Sequence, residues 1–146
     1  MSLAQHESFS LNQEVLTTMR ARVVIADDDD DVRQLLKLYL GDAGYDVVEV
    51  ANGALLHDIV AASYVSPGEP PDLIITDIRM PGYTGLEVLA DLRRVDWALP
   101  VVLISGYDNP GSYDEAARLG AAAFLRKPID RMNLLNIVRR MVAPRV

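Results

Sequence analysis

Short runs of aliphatic and β-branched residues recur along the chain, each followed by a stretch of helical periodicity, and this alternation limits the possible folds more than any other feature. The runs are "RVVIA" (22–26), "YDVVEV" (45–50), "DLIIT" (72–76), "PVVLIS" (100–105) and "AAFLR" (122–126). All but the second are apolar without a break at their centres, as parallel strands covered on both faces require. Between them, apolar residues recur at three- and four-residue spacing. Val32, Leu35, Leu36, Tyr39 and Ala43 share one face of a first helix, and Leu55, Leu56, Ile59 and Val60 mark a second. Val88, Leu89, Leu92 and Val95 mark a third, alanine-rich residues from Tyr113 to Leu119 a fourth, and Leu134, Ile137, Val138 and Met141 a fifth. Gly41 and Gly44 are expected to close the first helix, "SPGEPP" (66–71) separates the second helix from the third strand, and "MPGYTG" (80–85) leads into the third helix. Five strands alternating with five helices, (βα)₅, imply right-handed crossovers and an α/β, doubly wound parallel sheet. Five such units are too few to close an eight-stranded barrel.

Composition narrows the class further. A chain of 146 residues is long enough for one domain with a real core, and 50% apolar with 24% charged residues is a globular balance. A net charge of −7 with no basic stripe argues against direct nucleic-acid binding. No apolar run approaches the roughly 20 residues that cross a bilayer. The absence of cysteine excludes a disulfide framework, a thiol nucleophile and a thiolate metal site. The opening "MSLAQHESFS" lacks the basic and apolar regions of a secretory signal, so a cytoplasmic, reducing location is expected. Residues 1–20 read as an N-terminal extension or tag, with "MSL" a cloning scar and Leu11, Val15 and Met19 spaced for a short helix. Residues 21–143 form the domain and 144–146 a tail.

In an open α/β sheet, functional groups gather at the carboxyl ends of the strands. After the first strand come Asp27 and Asp28, and after the third comes Asp77; the fourth ends in Ser105, and the fifth runs into Lys127. Three carboxylates, a hydroxyl and an ammonium on one rim make a coherent set. Hard oxygen ligands at this density suit Mg²⁺ (or Mn²⁺), which keeps several waters and is commonly completed by a phosphoryl oxygen. Lys127 and Ser105 would then hold the other phosphoryl oxygens.

Each residue also has a plainer explanation. Asp30 and Asp31, ahead of the Val32 helix, read as N-cap residues favoured by the helix dipole, and Asp29 fits either set. Alone, Asp77 would be a loop aspartate, Ser105 a strand-end serine and Lys127 a surface lysine. Asp27 and Asp28 have little reason to sit side by side at the tip of a buried strand unless a cation offsets their repulsion. Placement at four different strand ends favours the joint site. A helix–loop–helix Ca²⁺ loop is excluded: counted from Asp27, the sixth position is Val32 and the twelfth Leu38, where glycine and glutamate are required.

The segments "VVIADDDDDVRQLL", "PDLIITDIRMPGYTGLEVL", "PVVLISGYD" and "AAFLRKPID" together resemble the receiver domains of two-component response regulators, in order and at family spacing over about residues 21–142. The resemblance implies a flavodoxin-like five-stranded sheet in the order 2-1-3-4-5 and a cis peptide at Lys127–Pro128. It implies a metal site at Asp27, Asp28, Asp77 and the backbone carbonyl of Arg79, with Asp77 the phosphoacceptor. Ser105 falls on the hydroxyl switch position, Lys127 on the phosphoryl-binding lysine and Phe124 on the switch aromatic. The implied partners are a sensor histidine kinase or a histidine phosphotransfer protein. A homodimer through the fourth helix, fifth strand and fifth helix is also implied. Arg79 and Tyr107, two residues after the acceptor and the hydroxyl, are expected to tune dephosphorylation. An alternative is a Mg²⁺-dependent aspartyl-phosphate phosphohydrolase, but such enzymes commonly carry a second acid two residues after the nucleophile, where Arg79 stands. After the last helix only "APRV" follows, so the chain reads as a single-domain regulator or as a receiver cut from a longer protein.

Overall fold

The computed structural model describes residues 20–65, 70–106 and 110–144. Five strands, β1 (Arg22–Ala26), β2 (Asp46–Val50), β3 (Leu73–Asp77), β4 (Val101–Ser105) and β5 (Ala123–Arg126), alternate with five helices. The helices are α1 (Asp30–Asp42), α2 (Gly53–Val65), α3 (Gly85–Leu92), α4 (Pro110–Arg118) and α5 (Arg131–Met141). Every strand pair is parallel, and the sheet order is β2-β1-β3-β4-β5. The order reverses between β1 and β3, so the carboxyl ends of those two strands border a crevice.

The three central strands, β1, β3 and β4, are buried on both faces because their side chains alternate between two cores. Val23, Ile25, Leu73, Ile75, Val102 and Ile104 pack with Leu36 and Leu40 of α1 and Leu134, Leu135 and Val138 of α5. Val24, Ala26, Ile74, Val101 and Leu103 face the other way, onto Leu56 and Val60 of α2, Val88, Leu89 and Leu92 of α3, and Ala116 of α4. Each fully buried Ile or Leu stabilises the fold by about 1.5–3 kcal/mol, so truncating one, Ile75→Ala for example, is a severe change.

Several helical faces are rotated from those expected. Leu35, Leu55 and Val95 are exposed, at 39%, 47% and 69%, and Leu40 and Leu135 take core positions instead. Adjacent leucines fit two overlapping stripes, and only packing against the sheet chooses between them. Gly41 lies within α1 rather than closing it. Gly44, at φ 99°, makes the reversal into β2 and leads to Tyr45, whose hydroxyl donates to the Val142 carbonyl at 2.6 Å. The Lys127–Pro128 peptide is cis. The short helix considered around Leu11 to Met19 lies outside the described residues, as does most of the "SPGEPP" segment.

Candidate functional site at the carboxyl ends of the strands

Asp27 directly follows β1, and its side chain is fully buried. Its Oδ1 accepts the Asp29 backbone N–H at 2.9 Å. Asp29, in turn, is the N-cap of α1, with Oδ1 accepting from Asp31 N at 2.9 Å and Val32 N at 3.3 Å. This corrects the expected division of the aspartate run: Asp30 and Asp31 occupy the first turn of α1, where the dipole favours them, but the cap itself is Asp29. Arg33 reinforces the junction. Its Nη1 donates to the Asp27 carbonyl at 2.6 Å, its Nη2 pairs with Asp30, and its Nε reaches Glu49 on β2 at 3.5 Å.

Asp77 is the last residue of β3. Its Oδ1 accepts the Arg79 backbone N–H at 3.0 Å, and its Oδ2 accepts from Lys127 Nζ at 2.7 Å. Lys127 is set by the end of β5, where its backbone N–H donates to the Ser105 carbonyl at 2.8 Å. Its ammonium also lies 2.8 Å from Asp27 Oδ2 and so bridges the two buried carboxylates. Burial alone would lower the Lys127 pKa, but bonds and charge from Asp27 and Asp77 hold it above its usual value. Burial pushes the Asp27 carboxyl up, helped by the charge of Asp77, and outweighs the lowering by Lys127 and the Asp29 N–H.

The loop that follows Asp77 is held by backbone contact that only glycine permits. A Cβ at Gly85 would lie 2.3 Å from the Asp77 carbonyl oxygen, and one at Gly53 would lie 1.8 Å from that of Tyr83. Gly85 N donates to the Ile78 carbonyl at 2.9 Å, and a reciprocal Thr84–Glu87 capping box then opens α3. Tyr83 stacks on His57 of α2, with centroids 4.8 Å apart, and His57 pairs with Asp91 of α3 at 3.2 Å. None of these contacts was expected from the sequence. "MPGYTG" signalled a turn but not the surfaces that the turn would meet.

The structure thus brings Asp27, Asp28, Asp77 and Lys127 together, beside a cleft of about 660 Å³ lined by Asp28, Asp29, Asp77, Arg79, Gly106 and Lys127. Ser105, buried at the end of β4, neighbours the acceptor strand. Phe124 lies back along β5, half-buried, its ring tilted on Tyr113 of α4 with centroids 3.9 Å apart. Arg79 is exposed, and Tyr107 lies outside the described residues.

The donor set fits a hard divalent cation. One carboxylate oxygen from each of Asp27, Asp28 and Asp77 lies within 4.8 Å of the others. Asp27 Oδ2 is buried and accepts no hydrogen bond of regular geometry, its nearest cation being the shared lysine. Three carboxylates against one ammonium leave excess negative charge in a partly buried site, and an oxygen-loving cation would neutralise it.

Comparison with known proteins agrees with this arrangement. Residues 23–139 match the response regulator receiver domain family. The chain is 30% identical to sporulation initiation phosphotransferase F of Bacillus subtilis, over 84% of this chain and 94% of that protein. It is 36% identical to transcriptional regulatory protein FixJ of Azorhizobium caulinodans, over 80% of this chain but 53% of the relative. It spans only 26% of the C4-dicarboxylate transport transcriptional regulatory protein DctD of Pseudomonas aeruginosa, so it covers about half or less of these longer regulators. Among solved structures, it superposes on a CheY-like receiver domain protein from Methanospirillum hungatei with a TM-score of 0.72 at 26% identity, covering 82% of this chain and 91% of that one. Chemotaxis protein CheY4 of Vibrio cholerae gives a TM-score of 0.69 at 28% identity, covering 84% and 98%. With the same sheet order, and with buried acids meeting a lysine at the strand ends, the chain belongs to the receiver domains of two-component response regulators.

Proposed function

We propose that this receiver domain accepts a phosphoryl group on Asp77 from a sensor histidine kinase or a histidine phosphotransfer protein, in a reaction that its own side chains promote. The observation that carries the reading is the Asp77 carboxylate, held 2.7 Å from Lys127 Nζ and within 4.8 Å of the acidic pair at the floor of an open cleft. The name of the Bacillus subtilis relative, a phosphotransferase, supports the same class of chemistry.

In the proposed reaction, one carboxylate oxygen of Asp77 attacks phosphorus. A P–O bond forms as the P–N bond to the donor histidine breaks, and the imidazole leaves with the bonding pair. The Arg79 N–H on Oδ1 and the lysine on Oδ2 hold the carboxylate oriented before attack. Lys127 then shifts its pairing to a phosphoryl oxygen, and the Ser105 hydroxyl donates to another. Mg²⁺ or Mn²⁺, held by Asp27, Asp28, Asp77 and the Arg79 carbonyl, would supply positive charge against the phosphoryl oxygens. The role is regulatory: the acyl phosphate is the signal, and its hydrolysis ends it.

The readout follows from the neighbours of the site. Movement of Ser105 toward the phosphoryl group opens space along β4, and Phe124 turns inward behind it, remodelling the surface of α4, β5 and α5. That surface would dock a partner or a second copy of the domain. The test is a phosphoryl mimic such as beryllofluoride with Mg²⁺, followed by backbone amide shifts. Perturbation from residue 105 through α5 that exceeds that of α2 supports the switch. Perturbation confined to the loops around Asp77 refutes it and leaves a simple phosphate-binding site.

A further inference from the structure

Between α2 and α3, on one face of the sheet, a groove of about 260 Å³ runs from His57, beside the Tyr83 loop, to Tyr64 and Val95, toward the amino ends of the strands. His57, Val60, Ala61 and Tyr64 line one wall and Val88, Asp91, Leu92 and Val95 the other, so the groove is largely apolar with the His57–Asp91 pair across it. Val95, on its wall, is 69% exposed, and Val65, the last residue of α2, is 84% exposed. Tyr64 and Asp96 join the two walls through a side-chain hydrogen bond. A largely apolar groove that ends in exposed apolar side chains calls for an occupant.

Chain geometry identifies one. The first described residue, Arg20, stands just before β1, at the amino ends of the strands. There Asp72 N donates to the Arg22 carbonyl at 2.9 Å, and Arg22 N donates to Asp72 Oδ2 at 2.8 Å. Asp72 follows Val65 by seven residues, and Val95 comes shortly before β4, so Arg20 and the Tyr64–Val95 end of the groove share one end of the sheet. We propose that residues 1–19 of this chain cover the groove, placing Leu11, Val15 and Met19 against its walls.

Reach and composition both support the assignment. Nineteen residues span at most about 60 Å extended and about 28 Å as a helix, against a radius of gyration of about 14 Å for a domain of this size. The segment carries Phe9, Leu11, Val15, Leu16 and Met19 and no lysine or arginine. The four-residue spacing of Leu11, Val15 and Met19 aligns three apolar side chains on one face of a helix, a match to a groove between two helices. Tethering also favours this occupant over a second copy. A short linker gives the segment a local concentration of order millimolar, whereas a stable dimer needs about 800 Å² on each partner.

The test compares the full chain with Leu11→Asp/Val15→Asp and, separately, with Val95→Glu, a position exposed enough to keep the fold. Both variants should shift the amides of residues 57–65 and 88–95. The peptide 1–19, added to a chain beginning at residue 20, should reproduce the full-chain shifts at millimolar concentration. No amide shift beyond the substituted residues would overturn the proposal. So would shifts that vanish on dilution of the full chain, the mark of a second copy, or shifts that appear on another face.

Discussion

Asp27→Asn should make the metal-free domain more stable while abolishing its response to Mg²⁺, and the structure sets the size of both effects. The Asp27 side chain is fully buried, 2.8 Å from Lys127 Nζ and with a carboxylate oxygen within 4.8 Å of one from Asp77. At an effective dielectric near 20, the lysine attracts it by about 6 kcal/mol and Asp77 repels it by about 3.5 kcal/mol. The remaining attraction, about 2–3 kcal/mol, is set against a desolvation cost of several kcal/mol for a buried carboxylate. The raised Asp27 pKa gives the same sign, because the fold disfavours the ionised form. Asparagine removes the charge and keeps an oxygen for the Asp29 N–H, and Lys127 stays paired with Asp77 at 2.7 Å. A gain of about 1–3 kcal/mol follows, or roughly 4 °C in Tm per kcal/mol for a domain of this size. At 100 times its dissociation constant, Mg²⁺ should stabilise the wild type by about 2.7 kcal/mol and the variant by almost nothing. The assay is thermal denaturation of both proteins in EDTA and in Mg²⁺. A variant that melts below the wild type in EDTA, or that gains as much from Mg²⁺, would refute the reasoning.

Three further outcomes are expected. Arg93→Met should cost about 2–4 kcal/mol in denaturant unfolding, because the buried guanidinium donates to the carbonyls of Asp96, Leu99, Leu119 and Gly120 and all four would lose it. The Tyr64 hydroxyl, and then the N–H groups of Ala98 and Leu99, hold the Asp96 carboxyl below its usual range. Its contribution is therefore present above the unfolded pKa of about 3.9 and lost as pH falls through the lower folded value, so Asp96→Asn should flatten the acid limb of stability against pH. Arg79→Asn and Tyr107→Glu, which put water-orienting groups two residues after the acceptor and after the hydroxyl in sequence, should speed decay of the phosphorylated domain in Mg²⁺, and unchanged or slower decay would show that these side chains do not gate the water.

The sequence carried the sheet almost whole, because buried parallel strands leave uninterrupted runs such as "DLIIT" and "PVVLIS" that admit little else. The site was legible for the same reason: each strand end is a short step from its run, so Asp27, Asp77, Ser105 and Lys127 fall where the fold requires. What stayed hidden depends on contacts between segments distant in sequence. Five consecutive aspartates contain no signal for which one caps α1, and only the backbone turn at Asp29 decides it. Nothing local marks Arg93, the C-cap of α3, for burial; it is the distant Leu119 and Gly120 carbonyls that close over it. The Gly53–Tyr83 and Gly85–Asp77 approaches join elements that no local pattern links.

The central claim, phosphoryl transfer to Asp77, is tested most directly by treating the chain with acetyl phosphate and Mg²⁺ and reducing the product with borohydride, which converts an aspartyl phosphate to homoserine. Peptide sequencing then reads the modified position. The account predicts one phosphoryl group per chain before reduction, homoserine at position 77 after it, and neither in Asp77→Asn. Homoserine at position 27 or 28, or an equal mass gain in Asp77→Asn, would contradict it.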